Sequence, residues 1–241
     1  MTACLESRFS GKFTSENVSA IFTKKGKYGK HKITDKLLDV LELVFNEAKG
    51  VIFKSYKDYS KFMTKQRKKY KKQVNLSITK SLIFAHYQIL YTKGRIQRNY
   101  TIEKFMKNKG ARSRSGIISV TIFTSGHLMG DETLVERGGC PMNCHYCPFE
   151  KDSDGKPTQP RSYLSTEPGN KRATEHHHHP LGQTLSRLFQ LEMLGHISND
   201  QSKPNKIEFI ISGGTFNFYP KDYIIWFTTC AYYACNVYHQ L

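Results

Sequence analysis

The sequence predicts an α/β protein preceded by a basic, all-helical amino-terminal domain. Three observations predict it. Apolar residues recur at helical spacing through residues 34–107, β-branched runs at 116–123 and 207–212 flank a helical stretch, and the excess of positive charge lies in the first half. The 241 residues are 38% hydrophobic and 12% aromatic, which is enough for a core and excludes general disorder.

The first thirty residues are polar and read as a flexible basic arm, taken as 1–33. From Thr34 a helix is expected, with Asp35 able to cap it and Leu37, Leu38, Leu41, Val44 and Phe45 on one face, ending near Gly50. A second helix, Tyr56 to Lys72, carries Tyr59, Phe62 and Met63 on one side. A third, Ser77 to Tyr91, repeats Leu82, Ala85, Ile89 and Leu90 and stops at Gly94. A short fourth stretch covers Ile102 to Lys107. These form a helical domain over 34–114. The second half, 115–241, opens with Gly116 to Phe123, continuous and β-branched as in a buried parallel strand. A long loop from Ser125 to about Pro180 follows, then a helix (Leu181 to Leu194), a strand (Ile207 to Ser212), Gly213-Gly214, and a helix from about Lys221. Strand, helix, strand, helix is the grammar of a parallel sheet or barrel.

Charge divides the chain in the same place. Residues 1–114 hold 27 basic and 8 acidic side chains, whereas residues 115–241 hold 10 and 12, within a formal net charge of +17. A polyanion partner for the first half follows. Lys65, Arg67, Lys68, Lys69, Lys71 and Lys72, with Tyr56, Tyr59 and Tyr70 interleaved, are the candidate RNA-binding residues; the bland alternative is a solvated helix face. No apolar run reaches the ~18 residues of a spanning helix. Met1 to Phe13 has no apolar signal region, so a cytoplasmic address with reduced thiols is expected.

Three of six cysteines fall within eight residues, as Cys140-Pro-Met-Asn-Cys144-His-Tyr-Cys147-Pro. In a reducing compartment such crowding points to a metal or cluster. Three thiolates on one loop suit a corner of an iron–sulfur cluster, leaving one iron open to a small molecule. A zinc site is the alternative, with His145 or a distant cysteine completing four ligands. Cys4, Cys230 and Cys235 read as free or core thiols. Gly213-Gly214 at the carboxyl end of a parallel strand lets the backbone approach a ligand. Asp152 and Asp154 read as turn formers, and His176 to His179 as a solvated loop.

The CxxxCxxC loop with Tyr146 before its last cysteine, and Gly213-Gly214 after the second strand, resembles the radical S-adenosylmethionine superfamily. More closely, Arg112 to Val120, the cysteine block, Asp152-Ser153-Asp154, Ser162-Tyr163, Glu167-Pro168, Arg172-Ala173, Leu194-Gly195-His196 and Lys206 to Phe216 resemble the family of the Elongator catalytic subunit. The similarity runs over roughly residues 75–230. That family modifies tRNA uridine with acetyl-CoA. The resemblance implies a radical S-adenosylmethionine TIM-like barrel, here its first βα units, with a 4Fe–4S cluster on Cys140, Cys144 and Cys147 and S-adenosylmethionine on the open iron. It implies Tyr146 near the adenine, Gly213, Gly214 and Thr215 near the methionine moiety, tRNA as partner, and a carboxymethyl-type group on carbon 5 of the wobble uridine as product.

Two departures accompany it. Leu128 to Gly139 resembles an insertion, and the sequence covers about two βα units with no acetyl-CoA motif. The expectation is the amino-terminal part of such an enzyme, with an unpaired sheet edge and a second polypeptide completing the barrel and the acetyltransferase domain. A non-catalytic tRNA-binding chain, or half of a split enzyme, is the alternative.

Overall fold

The computed structural model describes residues 34–106, 115–126, 138–197 and 205–238. The basic arm, Cys4, Lys107 and residues 128–137 of the expected insertion lie outside them. The described residues fall into two compact units, one within Tyr28–Ile118 and Phe189–Lys206, the other within Ser119–Leu188 and Ile207–Leu241. Among them no helix is long and apolar enough to cross a membrane.

Four helices build the first unit: α1 (Asp35–Glu47), α2 (Tyr56–Tyr70), α3 (Lys80–Thr92) and α4 (Tyr100–Met106). The cap of α1 is Thr34, whose hydroxyl accepts from Leu37 N at 3.3 Å, so Asp35 sits in the first turn instead. There its negative charge meets the positive end of the helix dipole. Ser55 and Asp58 form a reciprocal capping box at the start of α2. Thr79 caps α3, which starts at Lys80, three residues after the expected Ser77. Asn99 Oδ1 accepts from Thr101 N and Ile102 N and so starts α4 at Tyr100. Leu41, Val44, Ile83, Leu90 and Ile102 are buried in one core, where α1 packs on α3, α3 on α4 and α2 on α4. One polar knot crosses that core. Tyr87 donates to Glu103 Oε1 at 3.1 Å and accepts from Asn99 N at 2.8 Å, while Arg98 Nε donates to the same carboxylate oxygen at 2.9 Å. The carboxylate is thereby buried with its charge matched.

The second unit is α/β. Strands β1 (Ile117–Phe123) and β2 (Lys206–Ser212) are neighbours in a two-stranded sheet. Ser119 Oγ donates to Glu208 Oε2 and Thr124 N to Ser212 O, so the pairing advances in the same direction along both strands, which run parallel. Burial departs from the continuous pattern expected of β1: it alternates at first and becomes continuous only at Ile122 and Phe123. No residue of β2 is fully buried, and Ile210 is 45% exposed. The carboxyl end of β1 is held by a side chain. The Gln183 carboxamide, on α6 (Pro180–Met193), accepts from Phe123 N and donates to Phe123 O, both at 2.8 Å, as a neighbouring strand would. Helix α7 (Lys221–Val237) buries Tyr223, Trp226, Phe227, Cys230 and Ala234 at helical spacing.

Two expectations need correction. The stretch from Ser125 to Pro180 is not all loop, because α5 (Pro168–Glu175) lies in it, with Pro168 in its first turn and Ala173 buried. Nor is His176 to His179 a solvated loop throughout. His177 and His178 take left-handed conformations, and the chain then buries His179. Its Nδ1 accepts from Leu181 N at 3.2 Å, capping α6, and its ring meets Trp226 edge-on at 5.2 Å. Burial, with His176 nearby, holds the His179 imidazole down to about 4. An unfolded chain binds that proton near the ordinary value of 6.5, so this contribution to stability is complete above pH 6.5 and is lost as pH falls towards 4. The loss should amount to roughly 3 kcal/mol at most. Thermal melts of the wild type and of His179→Asn across this range should therefore converge as pH falls, because the variant has no imidazole to protonate there.

Candidate metal centre and candidate nucleic-acid groove

The cysteine loop is assembled by backbone hydrogen bonds among three segments distant in sequence. Arg161 N donates to Gly138 O at 3.0 Å, Gly214 N to Arg161 O at 3.4 Å, and Thr215 N to Gly139 O at 2.8 Å. The turn after β2 thus lies directly against the residues that precede Cys140. That approach explains the two glycines. A Cβ on Gly214 would sit 2.3 Å from Gly139 O, and one on Gly213 2.3 Å from Thr124 Oγ1; both residues have positive φ, at +54° and +112°.

Hydroxyls meet two of the thiols. Cys140 Sγ lies 3.3 Å from Thr215 Oγ1, and Cys147 Sγ lies 2.9 Å from Ser162 Oγ. Ser162 has φ of 79°, an uncommon conformation for a residue with a side chain, and it presents its hydroxyl to the thiol from there. Cys144 is exposed, and Tyr146 is 88% exposed at the loop tip. Tyr219 lies beneath, donating to Ser125 O at 3.0 Å and bonded to Thr124 Oγ1 at 2.8 Å. Burial, with a smaller contribution from Cys140, pushes its phenol up to about 12, so it stays protonated. Arg161 fastens the middle of the loop: Nη1 donates to Met142 O and Asn143 Oδ1, and Nη2 to Asn143 Oδ1, at 2.7–3.0 Å. Nothing in the residue pattern singled out Arg161.

Among the described residues no three His, Cys, Asp or Glu side chains converge to hold a single metal ion. The donor set fits a polynuclear cluster, in which each thiolate binds a different iron: three thiols on one loop, two with a hydroxyl partner and one open. Cys230 is a core thiol buried in α7, whereas Cys235 is half-buried, with burial pushing its thiol up to about 11. Asp152 is a turn former, its Oδ1 accepting from Asp154 N and Lys156 N at 3.0 and 2.8 Å.

The lysine run separates into groups. Lys65 and Lys68 line a groove of about 670 Å³ along α2, together with Tyr56, Lys57 and Lys61. Lys57 and Lys61 escaped the sequence reading because they continue the stripe at four-residue spacing instead of joining the contiguous run. Lys69 is turned to Glu47, which also accepts from Gln66 and Tyr70 and is held down to about 2, chiefly by Lys69. Arg67 Nε donates to Leu76 O at 3.3 Å. Lys71 and Lys72 are exposed beyond the helix end.

The chain is similar to Elongator complex protein 3. It is 37% identical to that protein of Dictyostelium discoideum over 123 residues, which are 51% of this chain and 20% of the relative. It is 31% identical to that of Drosophila melanogaster over 162 residues, 64% of this chain and 27% of the relative. With that of Saccharomyces cerevisiae the identity is 32% over 126 residues. The chain therefore spans about a fifth to a quarter of the length of these Elongator proteins. No family profile matches it.

Because Gly214 has no room for a methyl group, Gly214→Ala should force the β2 turn away from Gly139. The melting temperature should fall by roughly 5–10 °C, and limited proteolysis should cut first within the cysteine loop. Wild-type behaviour would show that the contact is not needed.

Proposed function

We propose that this chain provides the RNA-binding and radical S-adenosylmethionine portions of a tRNA wobble-uridine modifying enzyme similar to Elongator complex protein 3. The observation that carries the reading is the meeting of the cysteine loop with the Gly213–Thr215 turn through Thr215 N and Gly139 O, at 2.8 Å. It supports the reading because it brings the cysteine loop against the glycine turn that follows β2, and ligand sites of parallel α/β sheets and barrels lie beyond the carboxyl ends of strands.

Cys140, Cys144 and Cys147 would hold a 4Fe–4S cluster, which with S-adenosylmethionine bound supplies one-electron reductive cleavage of that cofactor. The chain's own residues would do the rest. The Thr215 and Ser162 hydroxyls are within reach of Cys140 and Cys147 and would donate to their thiolates, tuning the donors. The bare backbone at Gly213 and Gly214 would let the methionine portion approach, and exposed Tyr146 would cover the adenine. The α2 groove would bind tRNA phosphates through Lys57, Lys61, Lys65 and Lys68. Acetyl-CoA as co-substrate and a carboxymethyl-type product on carbon 5 of uridine belong to the same proposal and rest on the similarity alone; a second polypeptide and a cytoplasmic address belong to it as expectations read from the sequence.

Anaerobic reconstitution should yield a brown protein with about four irons per chain, and Cys144→Ala should abolish it. Stoichiometric zinc without sulfide would overturn the cluster. For RNA, replacing Lys57, Lys61, Lys65 and Lys68 with Glu should weaken tRNA binding at low salt. The slope of log K against log salt should flatten by roughly 0.7–0.9 for each lost phosphate contact. Reversal of Lys71 and Lys72 alone should do much less; equal effects would show that the groove is not the contact surface.

A further inference from the structure

We propose that a cavity beside the cysteine loop is a phosphate-binding subsite, built on Arg161 and Lys151. The cavity, of about 600 Å³, is lined by Asn143, Phe149, Lys151, Gly155 and Arg161, with Pro141 and Met142 from the cysteine loop. Its polar side chains are two cations and one amide. Arg161 is only 7% exposed, yet its guanidinium meets neutral acceptors alone, the Met142 carbonyl and the Asn143 carboxamide. Its Nε is buried with no acceptor. The Phe149 ring carries the Arg161 guanidinium at 4.3 Å and the Lys151 ammonium at 5.0 Å.

Among the described residues neither cation is ion-paired, and the acidic side chains flanking Lys151 are committed elsewhere. Glu150 accepts from Ser165 N and Oγ, and Asp152 accepts from the amides of its own turn. A guanidinium cannot shed its proton. A buried one held by neutral groups alone lacks the partner that would repay its desolvation. An oxyanion in the cavity supplies that partner, and a phosphate group suits a planar fork with an ammonium beside it. Gly155, with open space where a Cβ would stand, leaves the mouth clear.

Two sources share this chemistry: a phosphodiester of bound RNA and the phosphate of a small nucleotide. The RNA source rests on the function proposed above; the nucleotide source does not. The test uses the full chain, with a fluorescent anticodon stem-loop RNA in one arm and adenosine diphosphate in the other. Lys151→Met is the primary variant, because Lys151 makes no hydrogen bond the fold needs, and Arg161→Gln is the second. Lys156→Met, in the same turn but outside the cavity, is the control.

Lys151→Met should keep the wild-type melting temperature and weaken binding of one of the two probes about three- to tenfold. If the affected probe is RNA, its salt slope should flatten by roughly 0.7–0.9. Loss confined to the RNA arm assigns the site to RNA, and loss confined to the nucleotide arm assigns it to a nucleotide. Unchanged binding of both probes by both cavity variants, or an equal loss in Lys156→Met, overturns the subsite. Should the wild-type chain bind no RNA at all, the RNA reading falls and the nucleotide arm alone decides the subsite.

Discussion

The organisation of the candidate centre depends on one close backbone approach, between Gly138-Gly139 and Gly214-Thr215. A side chain on Gly214 would collide with Gly139 O, so the approach needs glycine there, and each buried amide in it must find a carbonyl. Arg161 completes the arrangement because its own amide and carbonyl bridge the two glycine pairs. With the main chain fixed, the side chains have few choices. The Arg161 guanidinium reaches forward to Asn143, Ser162 is set against Cys147, and Thr215 faces Cys140. The cysteines therefore owe their placement to residues before and after them more than to the loop that carries them.

Much of this was legible in the sequence. Helical patterning located α1 to α4, α6 and α7, and β-branched runs located both strands, because burial of one face leaves a regular signature. The cysteine spacing and the glycine pair singled out the two segments that meet at Thr215 and Gly139. Missed features were those whose cause lies far away in the chain. Arg161 looks like an ordinary surface arginine until Asn143 and Phe149 surround it. His179 looks like part of a polar run until Trp226, some fifty residues later, encloses it. Helix α5 is eight residues long and polar, too short and too weakly patterned to show.

The helical unit shows the same limit at its surface. Adjacent lysines in sequence point to different sides of a helix, so a contiguous basic run is not one binding surface. Lys69 serves the fold by neutralising Glu47 at the end of α1, and Arg67 is tied to Leu76. The stripe that stays open is the one at helical spacing, continued backwards to Lys57. Charge counting pointed to a polyanion as the partner to test, and geometry redistributes the lysines that stay open to one.

The pairing of β1 with β2 has a consequence in time. Ser119 and Glu208 touch across 89 positions of chain, and closing so long a loop is entropically costly and slow compared with forming any helix here. Thr215 reaches Gly139 only once that closure has happened. The thiols sit on a segment whose order depends on that long-range closure, so ordering of the cysteine loop should be coupled to formation of the β1–β2 pair.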